Sequence, residues 1–224
     1  MLCARAIIMS RKKIDYLPHA VYHCVARTNN KEPFHSLPDT WRIFSRELSF
    51  ISKHYGVTIF AFVLMSNHYH LLLKVGDKIP LGRVMNYFQA KLSRTLNLRN
   101  QRINHVFGGQ YRGSRITECS HFDVVFRYVL QNPLKANLCT DVRAYEYSTA
   151  YSYYLKAPKR FPFSVNIFNE PLADNILKRI NEGRLFEWLN TPNFSDRDKV
   201  TAALRRSNFK LPKNRRNRKI ISLT

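Results

Sequence analysis

The sequence predicts an α+β fold: a split βαβ (ferredoxin- or RRM-like) antiparallel sheet with helices on one face, followed by a C-terminal helical and basic extension. Three observations carry this expectation. Val57 to Met65 is an apolar run interrupted only by Thr58, the pattern of a central strand buried on both faces. After Ser66-Asn67 comes His68 to Val75, whose alternate positions are apolar, so the two segments form a hairpin. Helix-spaced and strand-like segments on either side complete the order strand, helix, strand, strand, helix, strand, helix.

Ala20 to Arg27, rich in Val and Tyr-type positions, reads as the first strand and Asn29-Asn30-Lys31 as a turn. Asp39 is a candidate N-cap for a helix from Thr40 to about His54, with Ile43, Phe44, Leu48 and Ile51 at helical spacing and Gly56 as its stop. Leu81 to about Leu98 is amphipathic through Val84, Phe88, Leu92 and Leu96. Gly108-Gly109 and Gly113 mark a loop that leads into a short strand near Ser114 to Ile116. A third helix is expected from Ser120, with Ser120 and Asp123 as a capping box. It ends near Asn132, because Pro133 disfavours helical geometry in the residue before it. An aromatic tract from Tyr145 to Tyr154, a Pro- and Phe-rich linker over Pro158 to Pro171 and a modest helix over Asp174 to Leu189 follow.

Lys and Arg number 37 against 15 Asp and Glu, a net charge of +22, and a polyanion is the natural partner for such a surface. From Arg205 to Lys219 eight of fifteen residues are basic. The four cysteines, Cys3, Cys24, Cys119 and Cys139, have no C-x-x-C spacing, so free thiols in a reducing cytoplasm are expected rather than a zinc ribbon. No apolar run approaches the roughly 18 residues that would cross a bilayer, and no membrane partner is expected. Met9 opens a more usual start than Met1, which makes the first eight residues an extension.

Two short segments carry chemistry. On the strand after the hairpin turn, His68, His70, Leu72 and Lys74 share one face, and Tyr69, Leu71, Leu73 and Val75 the other. Two imidazoles roughly 7 Å apart at Cα can converge on one cation. On the third helix, Tyr128 and Asn132 are four apart and flank the apolar stripe of Phe122, Val125, Phe126 and Val129. An Asn amide oxygen beside two imidazoles suits Mg²⁺ or Mn²⁺ with positions left for phosphate oxygens. A phenol near such a metal is a candidate nucleophile. Either segment alone is unspecific.

Together, Ser66 to Leu73 and Tyr128 to Leu138 (YVLQNPLKANL) resemble the single-tyrosine transposases of the HUH nuclease superfamily, most closely the REP-associated tyrosine transposases. Tyr147-Ser148-Thr149-Ala150-Tyr151 stands where that family has a Trp-Ser-Ser-Tyr-like segment, and the similarity runs from about Ala20 to Leu155. The resemblance implies His68 and His70 as metal ligands and catalytic residues, Tyr128 as nucleophile and Asn132 as third metal contact. It also implies a metal-dependent endonuclease and strand transferase acting on single-stranded DNA beside hairpins or palindromic repeats, through a 5′-phosphotyrosyl intermediate. Asn132 stands where many mobile relatives carry Gln, and Tyr111 is a rival nucleophile. The alternatives are a non-cleaving hairpin-binding protein on the same fold, a replication-initiator or relaxase relative, or a basic RNA-binding domain.

Expected phosphate contacts are Arg112, Arg115, Lys91, Arg94, Arg205, Arg206, Arg215 and Arg216, with Tyr22, Tyr87 and Tyr111 as stacking candidates. The expected division is an extension over 1–19, a catalytic domain over 20–155 and a linker, helical segment and basic tail over 156–224. A monomer or homodimer in the bacterial cytoplasm, at the nucleoid, is expected.

Overall fold

The structure, a computed structural model, describes residues 17–153, 165–191 and 196–211. The expected element order is present: β1 (Val21–Arg27), α1 (Leu37–Tyr55), β2 (Thr58–Leu64), β3 (His68–Lys74), α2 (Leu81–Asn100), β4 (Arg112–Ile116) and α3 (Cys119–Leu130). The strands form one antiparallel sheet in the order β2-β3-β1-β4. Short helices follow: α4 (Asn132–Lys135), α5 (Asp174–Asn181), α6 (Leu185–Asn190) and α7 (Arg197–Ala203). The fold class is α+β as expected, with several local differences.

Strand parity divides the sheet into two faces. Tyr22, Cys24, Ala26, Phe62, Leu64, Tyr69, Leu71 and Leu73 pack against α1 and α2. Val21, Val63, Leu72 and Ile116 point the other way and are covered by α3 and the C-terminal helices. Helices therefore lie on both faces, not on one. The reason is the stripe of α3: Phe122, Val125, Phe126 and Val129 are fully buried, and each such burial stabilises by about 1.5–3 kcal/mol. Ile176, Ile180, Leu185, Leu189 and Val200 from α5, α6 and α7 complete the same core.

β2 is buried on both faces, as its composition requires, yet it is an edge strand and not a central one. A shift of register between Ile59 and Ala61 lets Phe60 and Ala61 both face α3. The outer edge is closed by the segment after Tyr145, which includes the Tyr147–Tyr151 motif. Leu64 N–H donates to Tyr147 O (2.9 Å), Thr149 N–H to Phe62 O (2.9 Å), and Tyr145 O–H to Leu64 O (2.9 Å). Tyr153 O–H donates to Phe60 O. Part of the expected linker joins in: Asn166 N–H donates to Ile59 O (3.1 Å), whereas Pro158 and its neighbours to residue 164 lie outside the described residues.

Helix ends differ from expectation for identifiable reasons. Ser36 caps α1, accepting from Asp39 N–H at 3.3 Å, with Pro38 in the first turn, so Asp39 lies inside the helix and not at its cap. Gly56 ends α1 at φ 62°, where a side chain would be strained. Ser120 and Asp123 form no capping box. Glu118 is the N-cap residue of α3, and Asp123 accepts instead from Asn175 Nδ2 of α5 at 2.7 Å. The expected helix over Asp174 to Leu189 is two helices, broken at Gly183 (φ 71°). Among the described residues no helix is long and apolar enough to cross a membrane.

Thr149 holds both polar groups of Phe62: its Oγ1 accepts from Phe62 N–H (2.8 Å) and donates to Phe62 O (3.2 Å). Thr149→Val leaves that buried N–H unpaired and is expected to lower the unfolding free energy by about 1–3 kcal/mol in urea titration. An unchanged midpoint would mean that this residue does not close the sheet edge.

Candidate active site

β3 presents His68 and His70 on the face covered by α3, and α3 brings Tyr128 to them. The Tyr128 ring stands edge-on to His70, centroids 5.5 Å apart. The two imidazoles are 5.1 Å apart between centroids. Together with Asn132 they line one open cavity of about 990 Å³. The four residues singled out from the sequence thus converge from two elements about sixty positions apart in the chain.

A further residue joins them that sequence reading missed. His23, on β1, is almost fully buried, and its Nε2 lies 3.0 Å from His70 Nδ1, with the rings stacked at 5.2 Å. Tyr128 stands edge-on to it at 6.0 Å. The available signal was parity: His23 is polar on a strand whose other face, Tyr22, Cys24 and Ala26, is apolar. Only the register, Val25 opposite His70 and His23 opposite Leu72, sets the two rings side by side.

Hydrogen bonds assign protons on one ring and constrain them on the other. Asn67 Nδ2 donates to Lys31 O (2.8 Å), so its Oδ1 can only accept. That oxygen is 2.7 Å from His68 Nδ1, which therefore carries the proton, leaving Nε2 as a lone pair. His70 Nδ1 shares one proton with His23 Nε2, and His23 Nδ1 is buried without a partner among the described residues. A ligand on His70 Nε2 requires the proton on His70 Nδ1, donated to His23. Such outer partners orient metal-binding imidazoles.

Burial keeps these rings neutral. It lowers His23 to about 3 and His68 to about 4, the latter helped by the Arg27 charge directly across the ladder. His70 lies well below the usual value, through burial first and then the neighbouring histidines, Arg197 and Arg27. Neutral imidazoles are what a cation binds, so the donor set fits a divalent ion. Among the described residues no cluster of three or more His, Cys, Asp or Glu side chains is placed to hold a metal.

Asn132 is at the site but is engaged. Its Nδ2 donates to Tyr128 O (2.9 Å) and Val129 O (3.2 Å), closing the end of α3, and its Oδ1 accepts from Arg197 Nη2 at 2.5 Å. Arg197, from α7, also lies over the Tyr128 ring at 4.2 Å, and burial lowers its pKa. Tyr128 Oη is 3.4 Å from Thr201 Oγ1. Tyr111 belongs to the α1–α2 side of the sheet, away from the histidines, where burial raises its phenol.

The expected phosphate contacts separate by strand parity and helix face. Arg112 lies opposite Val25 and lines the histidine cavity with Arg205. Arg115 lies opposite Tyr22, so its side chain leaves from the other face. Lys91 and Arg94 are exposed on α2, also on that other face, and Arg206 is exposed after α7. Arg215 and Arg216 lie outside the described residues. Tyr22 is fully buried and cannot stack on a base, and Tyr87 stacks on Phe50 at 4.8 Å.

The depressed histidines make stability depend on pH. Between about pH 4 and 6.5 the unfolded chain binds protons that native His23 and His68 do not. The stabilisation is complete above about pH 6.5 and is lost as pH falls toward 4, by up to about 1.4 kcal/mol per unit for each ring. In metal-free urea titrations at pH 7, 6 and 5, His23→Gln is expected to show a shallower slope than wild type by about one proton. An identical slope would show that His23 is not held neutral.

Comparison with known proteins bears on the fold and the family. A solved REP-associated tyrosine transposase bound to a REP hairpin superposes with a TM-score of 0.57 at 13% identity, covering 72% of this chain and 96% of that one. A protein from Deinococcus radiodurans R1 assigned as a transposase matches at a TM-score of 0.38 and 14% identity, over 52% of this chain and 93% of its own, too loosely to bear on the fold. No curated protein sequence matches. The family model of IS200-like transposases matches residues 17–132, which hold β1 to α3, both histidines of β3, Tyr128 and Asn132: the chain belongs to the IS200-like transposase family.

Proposed function

We propose that this transposase-family chain is a metal-dependent endonuclease and strand transferase for single-stranded DNA, working beside hairpins or palindromic repeats through a 5′-phosphotyrosyl intermediate. One observation carries the reading: Tyr128 stands edge-on to the neutral His70 ring, His68 lies beside His70, and all three line one cavity with Arg27, Arg112, Arg197 and Arg205. The hairpin bound by the structural relative supports the choice of substrate.

His68 and His70 would hold a divalent cation, Mg²⁺ or Mn²⁺, with Asn132 as third contact. When bound, such an ion polarises the scissile phosphate and offsets charge on the leaving oxygen. The Tyr128 oxygen attacks phosphorus and the bond to the 3′-oxygen breaks. The phenol proton passes to solvent and the departing 3′-oxygen takes one up. The phosphodiester energy stays in the tyrosyl linkage, so attack by a 3′-hydroxyl rejoins a strand and frees Tyr128. Arg197 puts positive charge over the Tyr128 ring. An incoming phosphate would compete with Asn132 for Arg197, and the amide oxygen so freed is the atom that would contact the metal. His23 holds the His70 ring, and with a ligand on His70 Nε2 it would accept the hydrogen bond from His70 Nδ1.

The test uses hairpin-bearing oligonucleotides with Mg²⁺ or Mn²⁺ on a denaturing protein gel. Wild type is expected to give a covalent protein–DNA band, and Tyr128→Phe and His68→Ala to give less than about 0.1% of it. Hairpin binding with no adduct under either metal would make the chain a DNA-binding protein on a nuclease fold.

A further inference from the structure

The histidine cavity is not the only one that Tyr128 borders. On the other flank of α3 lies a second cavity of about 460 Å³, between α3, α5, α6 and α7. Tyr128 and Arg197 line both. The nucleophile therefore stands as a partition, with the imidazoles on one side and this second cavity on the other.

The second cavity is built around two cations without an ion-pair partner among the described residues. Arg127 of α3 and Arg179 of α5 both lie against the Trp188 ring of α6, their Cζ atoms 4.9 and 4.7 Å from its centroid. The Nε of each is buried with no hydrogen-bond partner among the described residues. Arg127 donates once, from Nη2 to Thr191 O at 2.7 Å. Neither guanidinium has a carboxylate within ion-pair distance among the described residues. Burial lowers the Arg127 pKa, and the Arg179 charge lowers it further, so the two cations repel each other in a partly desolvated place. The cavity's acids offset them only in part: Asp196 is paired with Lys199 at 2.7 Å, and Asp123, which feels the Arg179 charge from beyond ion-pair distance, accepts from Asn175 and has its carboxyl raised by burial.

Packing alone accounts poorly for this. An indole can hold one guanidinium with little loss of hydration, but two, each with a dry unpaired Nε, are a local conflict. An anion with several oxygens removes it, because guanidinium forks match phosphate geometry. In a chain of net charge +22 the available anion is a nucleic-acid backbone.

We propose that the Arg127–Arg179–Trp188 cavity is a second phosphodiester site, which grips the strand one or a few nucleotides from the phosphate that Tyr128 attacks. The inference rests on the proposed function for the location of the cut phosphate, but not for the presence of the site. A strand held on both sides of Tyr128 has its scissile phosphate fixed against the phenol, which is the positioning that in-line attack requires.

The test is equilibrium binding of single-stranded oligonucleotides to full-length Tyr128→Phe protein, which cannot be cut, over a range of salt. Adding Arg127→Gln and Arg179→Gln together is expected to weaken binding about 10-fold at low salt. It should also reduce the slope of log K against log salt by about 0.7, the value for one single-strand phosphate contact. Arg179→Lys, which keeps the charge and guards against loss of folding, is expected to retain the parent slope, and Arg42→Gln on exposed α1 to change nothing. Thermal unfolding checks each variant. A folded double variant with the parent's affinity and slope would overturn the second site. Adduct formation, measured separately with Tyr128 restored, tests the catalytic reading: an adduct with an unchanged slope sinks only this inference, and no adduct with a reduced slope sinks only the chemistry.

Discussion

The antiparallel pairing of β1 with β3 in the middle of the sheet is the constraint on which the rest depends. It places Arg27 across from His68 and Val25 across from His70, and so brings His23 diagonally beside His70. Because side chains alternate, a slip of one residue would turn both metal-candidate imidazoles into the α1–α2 core and expose Tyr69 and Leu71. That slip is opposed by a whole apolar layer: Tyr22, Cys24, Tyr69, Leu71 and Leu73 are all fully buried against α1 and α2. The hydrophobic face therefore specifies the register, and the register specifies the polar face.

The same face is then divided by α3. Its apolar stripe covers the Val21, Leu72 and Ile116 end and stops short of the histidines. Tyr128 lies one position before the buried Val129, close enough to the stripe to be held and far enough around the helix to reach His70. The end of α3 is tied by Asn132, whose amide donates to the Tyr128 and Val129 carbonyls. A residue read as a metal contact thus also fixes the backbone that carries the proposed nucleophile. Arg197 reaches Asn132 from α7, so the C-terminal helices, which share the α3 core, are continuous with the site.

Electrostatics at the cavity follow from unequal burial. The imidazoles are desolvated and neutral, while Arg27, Arg112 and Arg205, which line the same cavity, are exposed. Neutral nitrogens stand where the proposed cation would bind and arginines where the proposed strand would run, and neither arrangement would survive if histidines and arginines exchanged places.

Much of this was legible in the residues alone. The alternation of His68 to Val75, the apolar run before it and the four-residue step from Tyr128 to Asn132 determined the hairpin, the faces and the family resemblance, because local periodicity follows from backbone geometry. Tertiary structure alone decided what depends on contacts between distant segments. The run in β2 marks burial on two faces, but whether a strand so buried is central or at an edge depends on what covers its edge, here Tyr147 to Tyr153. Arg112 and Arg115 look alike in the chain, yet the β1–β4 register sends them to opposite faces. His23, Arg197 and the Arg127–Arg179 pair carry no motif, since their meaning comes from neighbours 47 to 69 residues away in the case of His23 with His70 and of Arg197 with Tyr128. A sequence records which faces are apolar; the packing of those faces decides which polar groups meet.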